Sequence, residues 1–99
     1  MELNLTSIDH DNYRAKTREL YAKKDWESLA KAVIEGGANQ DIDWFYLGRS
    51  AEGLKLYIAA KSYYTKGISA EFKCDKMPTG CDGFSFPRDI NARMELIFL

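Results

Sequence analysis

Two cysteines carry the plainest chemistry in this sequence. Cys74 and Cys81 bracket six residues inside the run Cys-Asp-Lys-Met-Pro-Thr-Gly-Cys-Asp-Gly, whose proline and glycines give it the composition of a loop. Two sulfurs in one flexible polar loop meet easily, so the spacing predicts a Cys74–Cys81 disulfide. Closing so short a ring contributes about 2 to 3 kcal/mol in the chain-entropy view. Such a bond persists in an oxidising compartment, a bacterial envelope or secreted setting. The alternative is a pair of free thiols in the cytoplasm. A zinc site needs four ligands, and His10, the one histidine, is far away in sequence. A redox site of the Cys-x-x-Cys kind has a different spacing.

The remaining polar residues do not assemble a catalytic set. His10 stands between Asp9 and Asp11 with no serine or cysteine nucleophile at a matching spacing. Gly36-Gly37 is followed by Ala38-Asn39-Gln40, without the Gly-Lys-Ser/Thr of a phosphate loop. Asp41 and Asp43 are two apart at a helix start, where they point to different sides and serve as capping charges. The expectation is a protein that is not an enzyme and needs no metal or cofactor.

Bulk properties narrow the partners. Ninety-nine residues, 45% hydrophobic and 13% aromatic, suit one domain. Fourteen basic against fifteen acidic residues, a net charge of -1, give no field to hold a nucleic acid or an anionic membrane. No apolar run reaches the roughly 18 residues of a membrane span. Met1-Glu2-Leu3-Asn4-Leu5 lacks the basic start and apolar stretch of a secretory signal. The chain is therefore read either as cytoplasmic or as a mature periplasmic or envelope fragment behind an added Met.

The elements that must position these residues read as helices. Pro78 and Pro87 both lie in the last quarter, so nothing before them interrupts helix formation. Tyr13, Thr17, Leu20 and Tyr21 recur at helical steps and predict a first helix starting near Asp9 or Asp11. Asp25 offers a cap for a second, with Trp26, Leu29, Ala30, Val33 and Ile34 as its stripe and Gly36-Gly37 as its stop. Asn39, Asp41 and Asp43 open a third, carrying Ile42, Trp44, Phe45, Leu47 and Ala51 and ending at Gly53. A fourth carries Leu54, Tyr57, Ile58, Ala60 and Tyr64 to about Phe72. After a loop over 73–84, Ser85 and Pro87 start a fifth helix, about 85–98, with Ile90, Met94 and Ile97 on one face. Trp26, Trp44, Tyr57 and Tyr64 are expected inside the helical pairs, with Tyr63 on an exposed flank. The expected fold is all-α.

These helices form two hairpins, about 10–37 and 39–72, that align on one offset. Tyr13 matches Trp44, Leu20 matches Ala51, Leu29 matches Ala60 and Val33 matches Tyr64, each 31 residues apart. At Trp44, Leu47, Gly48, Ala60 and Tyr64 the second hairpin resembles the tetratricopeptide repeat, W-x2-L-G-x2-Y followed by A-x3-F and P on a period of about 34. Gly48 and Ala60 suit such a pair, because antiparallel helices approach closely where facing side chains are small. Ala51 and Phe72 depart from the pattern, as do Lys16 and Thr17 in a degenerate first hairpin. The shorter offset also leaves a Sel1-like array open.

The resemblance implies two stacked hairpins in an α-α superhelix capped by the fifth helix. It further implies a concave groove that holds a peptide or protein, lined by Arg14, Arg18 and Tyr21 from the first helix and Phe45, Arg49 and Glu52 from the third. Arginines and aromatics there would select a partner with acidic and apolar residues. The plainer reading of the same residues is a solvated helix face. On this resemblance the protein is a non-catalytic interaction module, a small bacterial envelope scaffold or assembly factor. The alternative is an oligomerisation unit: Met94, Leu96, Ile97, Phe98 and Leu99 put apolar residues on more than one face of the fifth helix, where a second copy would dock.

Overall fold

Five α-helices follow in chain order: α1 (Leu3–Ala22), α2 (Trp26–Gly36), α3 (Asp41–Gly53), α4 (Tyr57–Ile68) and α5 (Arg88–Ile97), with a short 3-10 turn at Cys74–Lys76 between the last two. They come from a computed structural model, which describes residues 3–97 and side chains from residue 12 onward. Among the described residues there is no strand, only an isolated bridge between Gln40 and Phe72. The fold is all-α, as the periodicities require.

Local chemistry sets the helix ends. Asp25 Oδ1 accepts the Ser28 N–H at 3.4 Å to open α2, and Gly37 closes it in the left-handed conformation at φ 80°, which glycine adopts without steric cost. Asp43 Oδ2 accepts the N–H groups of Asn39 and Gln40 at 3.3 and 3.1 Å. The capping role expected of Asp43 is therefore met through the backbone.

Four boundaries differ from the sequence expectation, the first being the start of α4, which lies at Tyr57 and leaves Leu54 as the C-cap of α3. Helix α1 begins at Leu3 and not near Asp9 or Asp11, since neither glycine nor proline interrupts residues 3–22. Helix α4 stops at Ile68 and does not reach Phe72. The cause is tertiary: the Phe72 carbonyl accepts the Asp41 N–H at 3.0 Å, and the Cys74 N–H donates to Asp41 Oδ1 at 2.9 Å. The start of α3 thus draws residues 72–74 out of helical geometry. Helix α5 begins at Arg88, with Ser85 donating its N–H to Asp89 Oδ2 at 2.7 Å ahead of it and a cis peptide at Phe86–Pro87.

Each helix from α1 to α4 packs on the next, and α5 lies on α4. The core takes Leu29 and Val33 from α2, Ile42, Phe45, Tyr46, Leu47 and Ala51 from α3, Ala60 and Tyr64 from α4, and Ile90 from α5. Gly48 lies directly under the Tyr64 ring, where a Cβ would overlap the ring carbons. That contact explains why the third helix has glycine there. Trp26 and Trp44 are half-buried and Tyr64 is fully buried, but two aromatic expectations are reversed. Tyr57, at the first position of α4, is 45% exposed. Tyr63 is half-buried, stacked on Trp44 at 6.3 Å.

Candidate functional site

The six residues assigned to a groove lie on α1 and α3, the two helices expected to carry them, yet most face the protein's own interior. Arg14 is 3% exposed, and its Nη2 sits 3.2 Å from Asp43 Oδ1. The same oxygen accepts the Tyr13 hydroxyl at 2.9 Å. Phe45 is 2% exposed and belongs to the core. Tyr21 is half-buried, and its hydroxyl accepts Arg49 Nε at 3.1 Å, while the Arg49 guanidinium lies over the rings of Tyr21 and Trp26. Arg49 Nη1 reaches Glu52 Oε1 at 3.4 Å. Only Arg18 keeps substantial exposure, with 52% of its side chain accessible.

What meets Arg18, Tyr21, Phe45 and Glu52 is the stretch that runs from the end of the cysteine loop into α5. Asp82 accepts Arg18 Nη1 on one carboxylate oxygen at 3.2 Å and the Tyr46 hydroxyl on the other at 2.5 Å. The Phe84 ring lies 4.7 Å from Phe45 and 5.6 Å from Tyr21, and Phe86 lies 5.1 Å from Phe45. Further along, Arg93 grips Glu52 with both Nε and Nη2. Tyr21, Phe45, Arg49 and Glu52 are brought together directly; Arg18 reaches them through Asp82 and Tyr46, while Arg14 pairs apart from them with Asp43.

An open groove expected at these positions is thus closed by residues 82–93. The physical reason is complementarity: an acidic and apolar ligand was expected there, and Asp82, Phe84 and Phe86 supply that chemistry within the chain. These three residues and Arg93 were missed as site residues. Their signal was the alternation Asp82-Gly83-Phe84-Ser85-Phe86, which the loop composition around it obscured.

Cys74 and Cys81 are bonded, with Cα atoms 5.2 Å apart, so the predicted disulfide is formed. Cys74 is buried. Beside it lies a cavity of about 290 Å³ with Asp41, Lys73, Phe84 and Phe86 in its wall. Asp41 Oδ1 already accepts the N–H groups of Ile42 and Cys74, which fixes it as a structural acceptor.

Electrostatics follow this pairing. Burial alone would push the Glu52 carboxyl up, but hydrogen bonds from Arg93 and Tyr64 and the charges of Arg93 and Arg49 outweigh it, holding the carboxyl below the usual range. Burial, reinforced by Asp43, Asp82 and Glu52 respectively, pushes the hydroxyls of Tyr13, Tyr46 and Tyr64 well up. Among the described residues no three His, Cys, Asp or Glu side chains gather in a metal-binding arrangement, and no helix is long and apolar enough to cross a membrane.

No family model, no curated protein and no solved structure matches this chain.

Proposed function

We propose that this protein is a non-catalytic protein-interaction domain, a scaffold or assembly factor built from two tetratricopeptide-like hairpins and a capping helix. The observation that carries the reading is the α3–α4 turn. Leu54, Leu56, Tyr57 and Ile58 are there 42%, 55%, 45% and 88% exposed, a run of large apolar side chains that a monomer in water has no reason to present together. Lys55 sits among them. An apolar partner surface with an acidic rim complements that set.

Two features support the wider setting. Side chains on α1 and α3 that would otherwise be candidates for acid–base work are committed to partners within the chain. The bridged cysteines fit a working place in an oxidising compartment, such as a bacterial envelope. Self-association through α5 is the second reading, favoured by Leu96 at 62% exposure.

The test is capture with the wild-type chain and with a Leu56→Glu/Ile58→Glu variant as baits. Proteins retained by the first and lost by the second, at unchanged helicity, support the reading; an identical set retained by both retires it. Light scattering of a Leu96→Glu variant addresses self-association, since a chain that is monomeric with and without the substitution removes the second reading.

A further inference from the structure

The cavity of about 290 Å³ beside the disulfide has a wall of mixed chemistry: the Asp41 and Asp75 carboxylates, Lys73, and the rings of Phe84 and Phe86. Asp41 is 4% exposed. Its Oδ1 accepts the Ile42 and Cys74 N–H groups at 2.8 and 2.9 Å, whereas among the described residues no donor meets its Oδ2. The side-chain polar atoms sealed from water without a partner are on Arg14 and Gln40, so Asp41 Oδ2 is reached from the cavity. Among the described residues no salt bridge ends on Asp41 or Asp75. A carboxylate withdrawn this far from water calls for an answering charge, and Asp41 has donors on one oxygen alone.

The wall is held in place from within. The Cys74 N–H ties the loop to Asp41, and the Cys74–Cys81 bond ties the far side of the loop to the same point. Phe84 and Phe86 rest on Phe45 at 4.7 and 5.1 Å between ring centres, and on each other at 6.0 Å and 30°. A site constrained in this way gives up little ordering entropy on filling. Its volume lies at the small end of the roughly 300 to 1,000 Å³ of ligand pockets, which suits one ring with a short chain.

Charge decides the ligand class. The start of α3 would draw an anion, but Asp41 is the first residue of that helix and already takes that place. Two carboxylates in the wall stand against one ammonium, and that ammonium is committed: Lys73 Nζ donates to the Ile68 carbonyl at 3.3 Å. The faces of aromatic rings attract cations as well. We propose that the cavity binds an organic ammonium on a short aromatic or apolar stem. Asp41 Oδ2 accepts its N–H, Asp75, which is exposed at the rim, supplies a second negative charge, and Phe84 and Phe86 cover the stem. A free arylalkylamine and a lysine side chain of a partner protein share that chemistry. The site is separate from the apolar α3–α4 turn and uses none of its residues.

The test is two-dimensional amide NMR of the full oxidised chain, titrated with phenethylammonium, with its neutral counterpart phenethyl alcohol, and with a blocked Gly-Lys-Gly peptide. Phenethylammonium should give saturable shifts at the amides of Ile42, Cys74 and Phe84 at roughly millimolar concentration, and the alcohol should bind about tenfold more weakly. Asp41→Asn keeps an oxygen for the two N–H groups while removing the charge, and should weaken the ammonium about tenfold with the alcohol unchanged. Asp75→Asn, at an exposed position, should weaken it about threefold at unchanged helicity, and decides alone if Asp41→Asn loses helicity. Saturation by the free amine only assigns the cavity to a small molecule, and saturation by the lysine peptide assigns it to a side chain of a partner; either supports the proposal. Equal affinity for the ammonium and the alcohol overturns it, as does the lack of saturable shifts at these amides with both cationic probes. Undiminished ammonium binding in the folded aspartate variants overturns it too. None of these outcomes bears on capture through Leu56 and Ile58, so the two readings fail separately.

Discussion

Arg14 and Asp43 show what one buried pair demands of its surroundings. An arginine guanidinium taken out of water needs an answering charge, and Asp43 provides it while also accepting the Tyr13 hydroxyl and two backbone N–H groups. Removing one partner of such a pair strands the other. Arg14→Ala should therefore cost about 3 kcal/mol, read as a lowered urea midpoint, and Arg14 serves as a folding position before it serves any partner. Glu52 gives a signed pH dependence. Its carboxyl lies below the usual range in the folded chain, so the unfolded chain binds the proton first as pH falls. The stability that Glu52 contributes is present above about pH 4.3 and is lost as pH drops through the folded value. Glu52→Gln should flatten that part of the acid limb in urea titrations. Tyr13, Tyr46 and Tyr64 act at the other extreme, because their raised hydroxyls stay protonated in the folded chain. Their contribution is lost as pH rises above about 10, where unfolded tyrosine ionises; tyrosinate absorbance should appear together with loss of helicity.

Among the elements, the segment from Ser69 to Pro87 is the one that local propensity describes least well. Helix α4 gives way because Asp41 takes both a backbone contact from its own helix start and the Cys74 N–H across the turn. The disulfide then closes residues 74–81 and delivers Asp82, Phe84 and Phe86 onto α1 and α3. A Cys74→Ser/Cys81→Ser variant should lose about 2 to 3 kcal/mol, the loop-closure contribution, measured by urea unfolding against the oxidised wild type. Helix content should hold, since α1–α4 carry Leu29, Val33, Leu47, Ala51 and Ala60 of the core.

At the scale of the molecule, polar recognition has turned inward and apolar surface outward. Arg14, Arg49 and Glu52 are spent on internal partners, whereas Leu54, Leu56, Tyr57 and Ile58 face water. Replacing two of the latter removes exposed surface without opening a cavity. Leu56→Glu/Ile58→Glu should leave stability within about 0.5 kcal/mol per site, by thermal or urea unfolding, while abolishing partner capture. A large loss of stability instead would mark the turn as part of the fold.

The sequence by itself determined the all-α class and the order of the helices, and its cysteine spacing favoured the disulfide. These depend on short-range spacing: a three-to-four-residue stripe, a capping aspartate, two cysteines in one loop. It also placed Arg14, Arg18, Tyr21, Phe45, Arg49 and Glu52 on α1 and α3. Which way those residues face was decided only by tertiary structure. A helical stripe tells which residues share a side, but not what arrives to cover it. Here the cover comes from residues 82–93, with 64 positions separating Arg18 from Asp82. No local pattern encodes a contact of that span, and it turns an expected open groove into one already filled by Asp82, Phe84 and Phe86.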